Sequence, residues 1–183
     1  MANTVSNVAV GKPAITGAIW WAPLGTTLPT DATTALPNTY KCLGYVSEDG
    51  ATNAFDVDTN EIKAWGGDTV VSTQNGKTVT WNATLIEALN IEVLKAVFGS
   101  GNVTGTLADG ITVTHNNDEP EEGVLVIDTI LRGAVQRVVC PDAKATEIGE
   151  VTYSDDDVVG YDTTFTCMPD ASGNSQYQYI KAA

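Results

Sequence analysis

The chain has 183 residues, 43% of them apolar, enough for one domain with a sizeable core and too apolar for a disordered segment. Its formal net charge is −14, from 9 basic and 23 acidic side chains. That balance excludes tight wrapping of nucleic acid, which needs Lys and Arg on phosphates, and adhesion to anionic membranes; it leaves open brief passage of a nucleic acid that must not stick.

Residues 1–13 carry no clear periodicity and read as an N-terminal arm, either mobile or ordered only against a neighbour. No signal-peptide pattern is expected there, and no run approaches the ~20 apolar residues of a membrane helix. Ala18 to Pro23 reads as a strand, so the adjacent Trp20 and Trp21 are predicted on opposite faces. Pro23, Pro29 and Pro37 make residues 24–40 a loop. Lys41 to Ser47 is a short predicted strand, turned by Glu48-Asp49-Gly50.

Thr52 to Trp65 is polar on both sides. One face would carry Asp56, Asp58 and Asn60, the other Phe55, Val57, Thr59, Glu61 and Trp65. A long strand of this kind is poorly explained by a core within one chain. It suits a projecting hairpin that buries itself on another subunit, or a solvated loop. Gly66-Gly67, followed by Asp68, ends the segment and Thr69 to Gln74 returns. Asn75-Gly76 then predicts a further tight hairpin, because both residues tolerate positive φ.

In the next strand Val79, Trp81, Ala83 and Leu85 alternate with Thr78, Thr80, Asn82 and Thr84. The one convincing helix spans residues 90–98. Asn90 is its cap, Glu92 lies at the positive dipole end, and Ile91, Leu94 and Phe98 form its apolar stripe before Gly99 stops it. Ser100 to Asp109 reads as a loop, Gly110 to His115 as a short strand, and Asn116 to Gly123 as an acidic turn. Val124 to Leu131 and Ala134 to Cys140 form a hairpin about Arg132-Gly133, which Pro141-Asp142 breaks. Ala145 to Tyr153 and Val158 to Met168 flank the turn Asp155-Asp156-Asp157, with Val159, Tyr161, Thr163, Phe165 and Cys167 on one face. Residues 170–183 form a C-terminal tail in which Gln176 to Ile180 could add a last strand. The whole predicts a mainly β single domain: a β-sandwich or barrel-like body, one short flanking helix and a long projecting hairpin or loop.

Chemistry is hard to place on this chain. Its single histidine, His115, has no nucleophile poised beside it in sequence and reads as a surface or capping residue. Cys42, Cys140 and Cys167 lack metal spacing and read as reduced thiols, mostly buried, in a protein made in a cytosol. Asp56-Val57-Asp58-Thr59-Asn60 copies the first half of a calcium loop. It then fails, with Glu61 where the turn glycine belongs and Gly67 where the bidentate glutamate belongs. Neither phosphate-cradling glycine motif is present. No cofactor, metal or catalytic residue is expected.

Longer blocks of the sequence carry a resemblance. They run from Gly17 to Leu36, Leu43 to Gly50, Ile62 to Val70, Thr84 to Gly99, Gly110 to Asn116, Leu131 to Tyr153 and Gly160 to Asp170. In this order they resemble the major tail proteins, or tail tube proteins, of bacteriophages with long non-contractile tails, especially those infecting actinobacteria. The resemblance implies hexameric rings stacked into a tube, with strands of all six subunits closing an inner barrel. It implies contacts with the tape-measure, tail terminator and distal tail or baseplate proteins, DNA as a transient passenger, and no enzymatic activity. It also implies a place in the virion after synthesis in the host cytoplasm. On this reading Glu48, Asp49, Gly50, Phe55, Asp56, Asp58, Glu61, Trp65, Gly66, Gly67 and Asp68 would form an arm between subunits, within residues 48–76. Asp56 and Asp58 are the candidate lumen acids. The competing readings are an Ig-like virion adhesin that forms no tube and a carboxylate-dependent glycosidase.

Overall fold

The computed structural model describes residues 3–183; of the N-terminal arm, Met1 and Ala2 lie outside the described residues. The strands are, in chain order, β1 (Lys12–Pro13), β2 (Ile19–Pro23), β3 (Lys41–Cys42), β4 (Val46–Lys63) and β5 (Thr69–Leu85). Helix α1 (Ile91–Phe98) follows, then β6 (Val103–Thr106), β7 (Gly110–Val113), β8 (Gly123–Leu131), β9 (Ala134–Ile148), β10 (Tyr161–Met168) and β11 (Tyr177–Ala182). Nine of these strands share one open sheet with the order β3-β2-β8-β9-β10-β5-β4, to which β1 adds beside β8 and β11 beside β9. The sheet does not close into a barrel; the architecture is β-sandwich-like.

One face of the sheet carries the main core. Alternation puts Val79, Trp81, Ala83 and Leu85 of β5 there, beside Tyr161, Phe165 and Cys167 of β10 and Leu125 and Ile127 of β8. Helix α1 closes over them. Its Asn90 side chain accepts the Glu92 amide at 3.0 Å, and Gly99 ends it at φ +90°. The fully buried helix residues are Val93, Leu94, Ala96 and Val97, whereas Ile91 and Phe98 of the expected stripe are half-buried at its margin. His115 sits exposed against Phe98, ring edge to face at 4.9 Å.

The other face is divided. At the β2–β8–β9 end it carries a second core of Ala22, Tyr40, Val124, Val126 and Val139, capped by Leu28, Leu36 and the rings of Trp20, Tyr177 and Tyr179. The loop 24–40 therefore works as a cover. Strand β8 is buried on both sides, which is why Gly123 to Ile127 is an unbroken buried run. The tryptophan pair straddles the sheet as expected: Trp21 packs on the main core, 5.6 Å from Phe165, and Trp20 on the second.

A largely buried ion pair fastens the cover. Arg137 is 5% exposed and donates from Nε and Nη2 to both carboxylate oxygens of Asp128, at 2.7 and 2.8 Å. Its Nη1 donates to the carbonyls of Asp31 (3.3 Å) and Thr34 (2.7 Å) in the loop. Asp31 in turn accepts the amides of Thr33 and Thr34, both at 2.6 Å, and both their hydroxyls. These bonds, led by that from the Thr34 hydroxyl, hold its carboxyl well below the usual carboxylate range. A depressed pKa means that the turn is intact above the ordinary carboxylate pKa and opens only as pH falls through the lower, folded value. The amide shifts of Thr33 and Thr34 should therefore stay flat from pH 7 through the ordinary aspartate pKa of about 3.9 and move only below it.

Four local expectations need correction. Glu48-Asp49-Gly50 does not turn the chain; it bulges out of β4, whose pairing with β5 resumes at Ala51. Asn75-Gly76 is no hairpin tip either. β5 runs through it, and the register slips by one residue at Asn75, because a dipeptide that tolerates unusual φ serves a bulge as well as a turn. Pro141-Asp142 does not end the strand: β9 continues through a one-residue bulge against β8, exchanging β11 for β10 as its other neighbour at this point, where a residue without N–H costs no ladder bond. Part of the 100–109 loop is the strand β6, paired with β7.

A projecting hairpin and an open polar face as the candidate functional site

The candidate site has two parts, and both belong to the β4–β5 side of the sheet. The first is the hairpin itself. β4 and β5 stay paired past the body, and every residue from 55 to 78 is exposed. The reach from Phe55 to the turn is about 30 Å at ~3.3 Å per residue. The turn at the tip spans Ala64 to Asp68, closed by the Ala64 amide on the Asp68 carbonyl (2.8 Å) and the Gly67 amide on the Ala64 carbonyl (3.0 Å). Gly66 and Gly67 take φ of +121° and +99°, which other residues adopt only with strain. At the base, Gln176 Oε1 accepts from Asn53 Nδ2 (2.8 Å) and Trp81 Nε1 (3.1 Å), tying the arm to the C-terminal segment.

The singled-out residues do not converge on a pocket; they are strung along this ribbon. Glu48, Asp49 and Gly50 form the bulge near its root. Phe55 is 51% exposed and lies under the Lys77 ammonium, 5.2 Å from the ring centre. Asp56 and Asp58 stand on the opposite face, across from Thr78 and Gly76. Glu61 accepts the Thr69 hydroxyl at 3.2 Å. Trp65, beside Gly66, Gly67 and Asp68 at the tip, touches nothing that covers it, with an exposure of 106%. Val57, Ile62, Val70 and Val71 are also largely exposed, so the arm displays apolar side chains without a core. β4 ends the sheet, and its outer edge pairs with no described strand.

The second part is the sheet face opposite α1, beyond the second core. Cross-strand register gathers Thr52, Ala54, Asp56 and Asp58 of β4, Thr78, Thr80, Asn82 and Thr84 of β5, and Asp162, Thr164 and Thr166 of β10. Lys144, Thr146 and Glu147 of β9 complete it. The Asn82 amide donates to Asp162 (2.8 Å) and Thr164 (3.1 Å), and the hydroxyls of Thr146 and Thr166 meet at 2.8 Å. Lys144 is spoken for by Glu119 at 2.6 Å, which raises the lysine's pKa and lowers the glutamate's, each chiefly through this bond. Among the described residues the face thus presents hydroxyls, amides and carboxylates, with no aromatic ring and no unpaired cation. Reading the residues in order names Asp56 and Asp58 but not Asp162 or Glu147. The signal was present in Asp162, Thr164 and Thr166, which alternate with the apolar positions of β10.

Among the described residues, no group of three or more His, Cys, Asp or Glu is placed to hold a metal ion. No described helix is long and apolar enough to cross a membrane. The calcium-like Asp56–Asn60 stretch lies extended in β4, not as a loop.

No curated protein matches this sequence. The family model for the phage tail tube protein matches it over residues 1–183. With a β-sandwich-like body, one helix and an uncovered arm in view, that full-length match decides the assignment: the chain belongs to the phage tail tube protein family, a structural component of the virion.

Proposed function

We propose that this protein assembles as hexameric rings stacked into the tail tube, a negatively charged conduit through which DNA leaves the particle. The arm of residues 48–76 reaches a neighbouring copy, where Phe55, Trp65 and the tip glycines find cover, and the free border of β4 gains a partner from the next subunit. The hydroxyl-rich face with Asp56, Asp58, Glu147 and Asp162 lines the lumen. The tape-measure, tail terminator and distal tail proteins are its other contacts. The observation that carries this reading is the arm: a hairpin exposed on both faces has no reason to stay extended in a solitary molecule. A ring of such subunits removes the edge, and heterologous stacking of rings grows into a filament.

The polar face suits a passage. Binding to a duplex comes from cations on phosphates, and binding to single strands from bases stacked on rings. This face offers neither, so DNA is repelled from the wall and slides. Negative-stain imaging of the purified protein tests the assembly: hollow tubes or six-fold rings are expected, whereas discrete particles would favour an adhesin-like module.

The lumen assignment has its own test. Asp56→Lys combined with Asp58→Lys should leave tubes able to form yet make them hold short duplexes. DNA present during assembly should then resist nuclease at low salt and lose that protection steeply as salt rises. Variant tubes that protect no DNA would place these residues elsewhere.

A further inference from the structure

Cys140 and Cys167 lie side by side in the main core, with Sγ atoms 2.7 Å apart. That is well inside ordinary contact between unbonded sulfurs and not far above the ~2.05 Å of a bond. Their positions follow from the sheet. Cys167 faces the core from β10, opposite Ala143. Cys140 is the last β9 residue before the Pro141-Asp142 bulge, opposite Leu125. The bulge lets Cys140 and Ala143, three residues apart, face the same core, on which Cys167 also lies. The pair is 0% and 4% exposed, and nothing in the tube reading uses it. Cys42 is separate, in β3 at the far border of the sheet, where its sulfur accepts the Gly44 amide at 3.3 Å.

We propose that Cys140 and Cys167 form an intramolecular disulfide once the protein leaves a reducing cytoplasm, locking β9 to β10 in the mature particle. The oxidant is a peroxide. One sulfur, as thiolate, attacks a peroxide oxygen; the O–O bond breaks, giving a sulfenic acid and water. The second sulfur displaces the hydroxyl, forming the S–S bond and releasing a second water. Two thiols are oxidised by two electrons and one peroxide is reduced. The contact with Cys167, with burial behind it, pushes the Cys140 thiol up, so the step waits on brief parting of β9 from β10 and is slow. Slowness fits the setting: the chain stays reduced while it is made and assembled, and oxidises over the lifetime of a released particle. Only that setting rests on the virion reading; the chemistry does not. The bond joins residues 27 apart in sequence and closes the chain between them into a loop, from which the unfolded chain loses conformational freedom.

The test uses the full-length protein, kept reduced or held overnight in hydrogen peroxide, then unfolded in an alkylating agent. The oxidised sample should be about 2 Da lighter before alkylation, carry one alkyl group at Cys42, and yield one linked peptide containing Cys140 and Cys167. Its thermal midpoint should rise by roughly 5–10 °C over the reduced form. Cys42→Ala should give the same linked peptide and the same rise. Alkylation of all three cysteines, sulfinic acids at Cys140 or Cys167, or a link through Cys42 would overturn the proposal.

Discussion

Replacing Trp65 with alanine, or deleting Gly66 and Gly67, is expected to stop tube growth while leaving the monomer folded. Trp65 has lost no surface to its own chain. Removing a side chain that touches nothing changes folding stability by less than about 0.5 kcal/mol. Docked on a neighbour, the same ring would bury ~150–250 Å². At ~25 cal/mol/Å² that is at most about 4–6 kcal/mol of transfer free energy, and buried tryptophans at interfaces commonly cost 2 kcal/mol or more when truncated. A loss of about 2 kcal/mol lowers each association constant roughly 30-fold, and filament growth multiplies that loss at every ring. The glycine deletion acts differently. It removes the two positive-φ residues that let the tip turn, so the arm would end frayed and shortened. Tube yield by sedimentation and imaging, set beside thermal melting of the monomer, separates the two quantities. A fall in melting temperature as large as the loss of tubes would make the tip a folding element instead.

Arg137→Ala should have the largest effect on stability, a loss of about 3–5 kcal/mol. The side chain is nearly fully buried and serves two masters, the Asp128 carboxylate and the carbonyls of Asp31 and Thr34. Its removal strands a carboxylate that is only 13% exposed and frees the loop that covers Val124, Val126 and Val139. The ion pair is a fastening more than a source of free energy, since apolar replacement of a buried pair is often neutral. Asp128→Leu with Arg137→Met should therefore recover most of what either single change loses. Urea unfolding of the two single variants and the double variant closes the cycle. Losses that simply add would mean that the two residues act independently.

These two residues show what a linear reading reaches. The helix was legible because its determinants are local: a cap at Asn90, a stop at Gly99 and one apolar stripe. The alternating strands β5 and β10 were legible for the same reason, and so was the Arg132-Gly133 turn, which pairs Leu131 with Ala134. That turn already places Asp128, fourth before it, opposite Arg137, fourth after it, so the ion pair could have been read from register. The second core could not. Leu28, Leu36 and Tyr40 sit in a loop without period, and what they cover lies about a hundred residues further on. The residue types at the Glu48–Gly50 and Asn75 bulges fit a turn equally well, and only the partner strand decides between the two outcomes. Of the candidate site, the arm was visible as a polar ribbon that no core explained. The open face was half visible, since Asp162 and Glu147 join Asp56 and Asp58 only through cross-strand pairing.

On the tube reading, other copies of the chain complete the free border of β4 and the Phe55 side of the arm. Hydrogen exchange of residues 46–63, compared between free monomer and assembled tubes, reads that claim amide by amide. The outward-facing amides of β4 should exchange quickly in the monomer and slowly in the tube, while those bonded to β5 change less. Equal protection of the outward-facing amides in both states would contradict it.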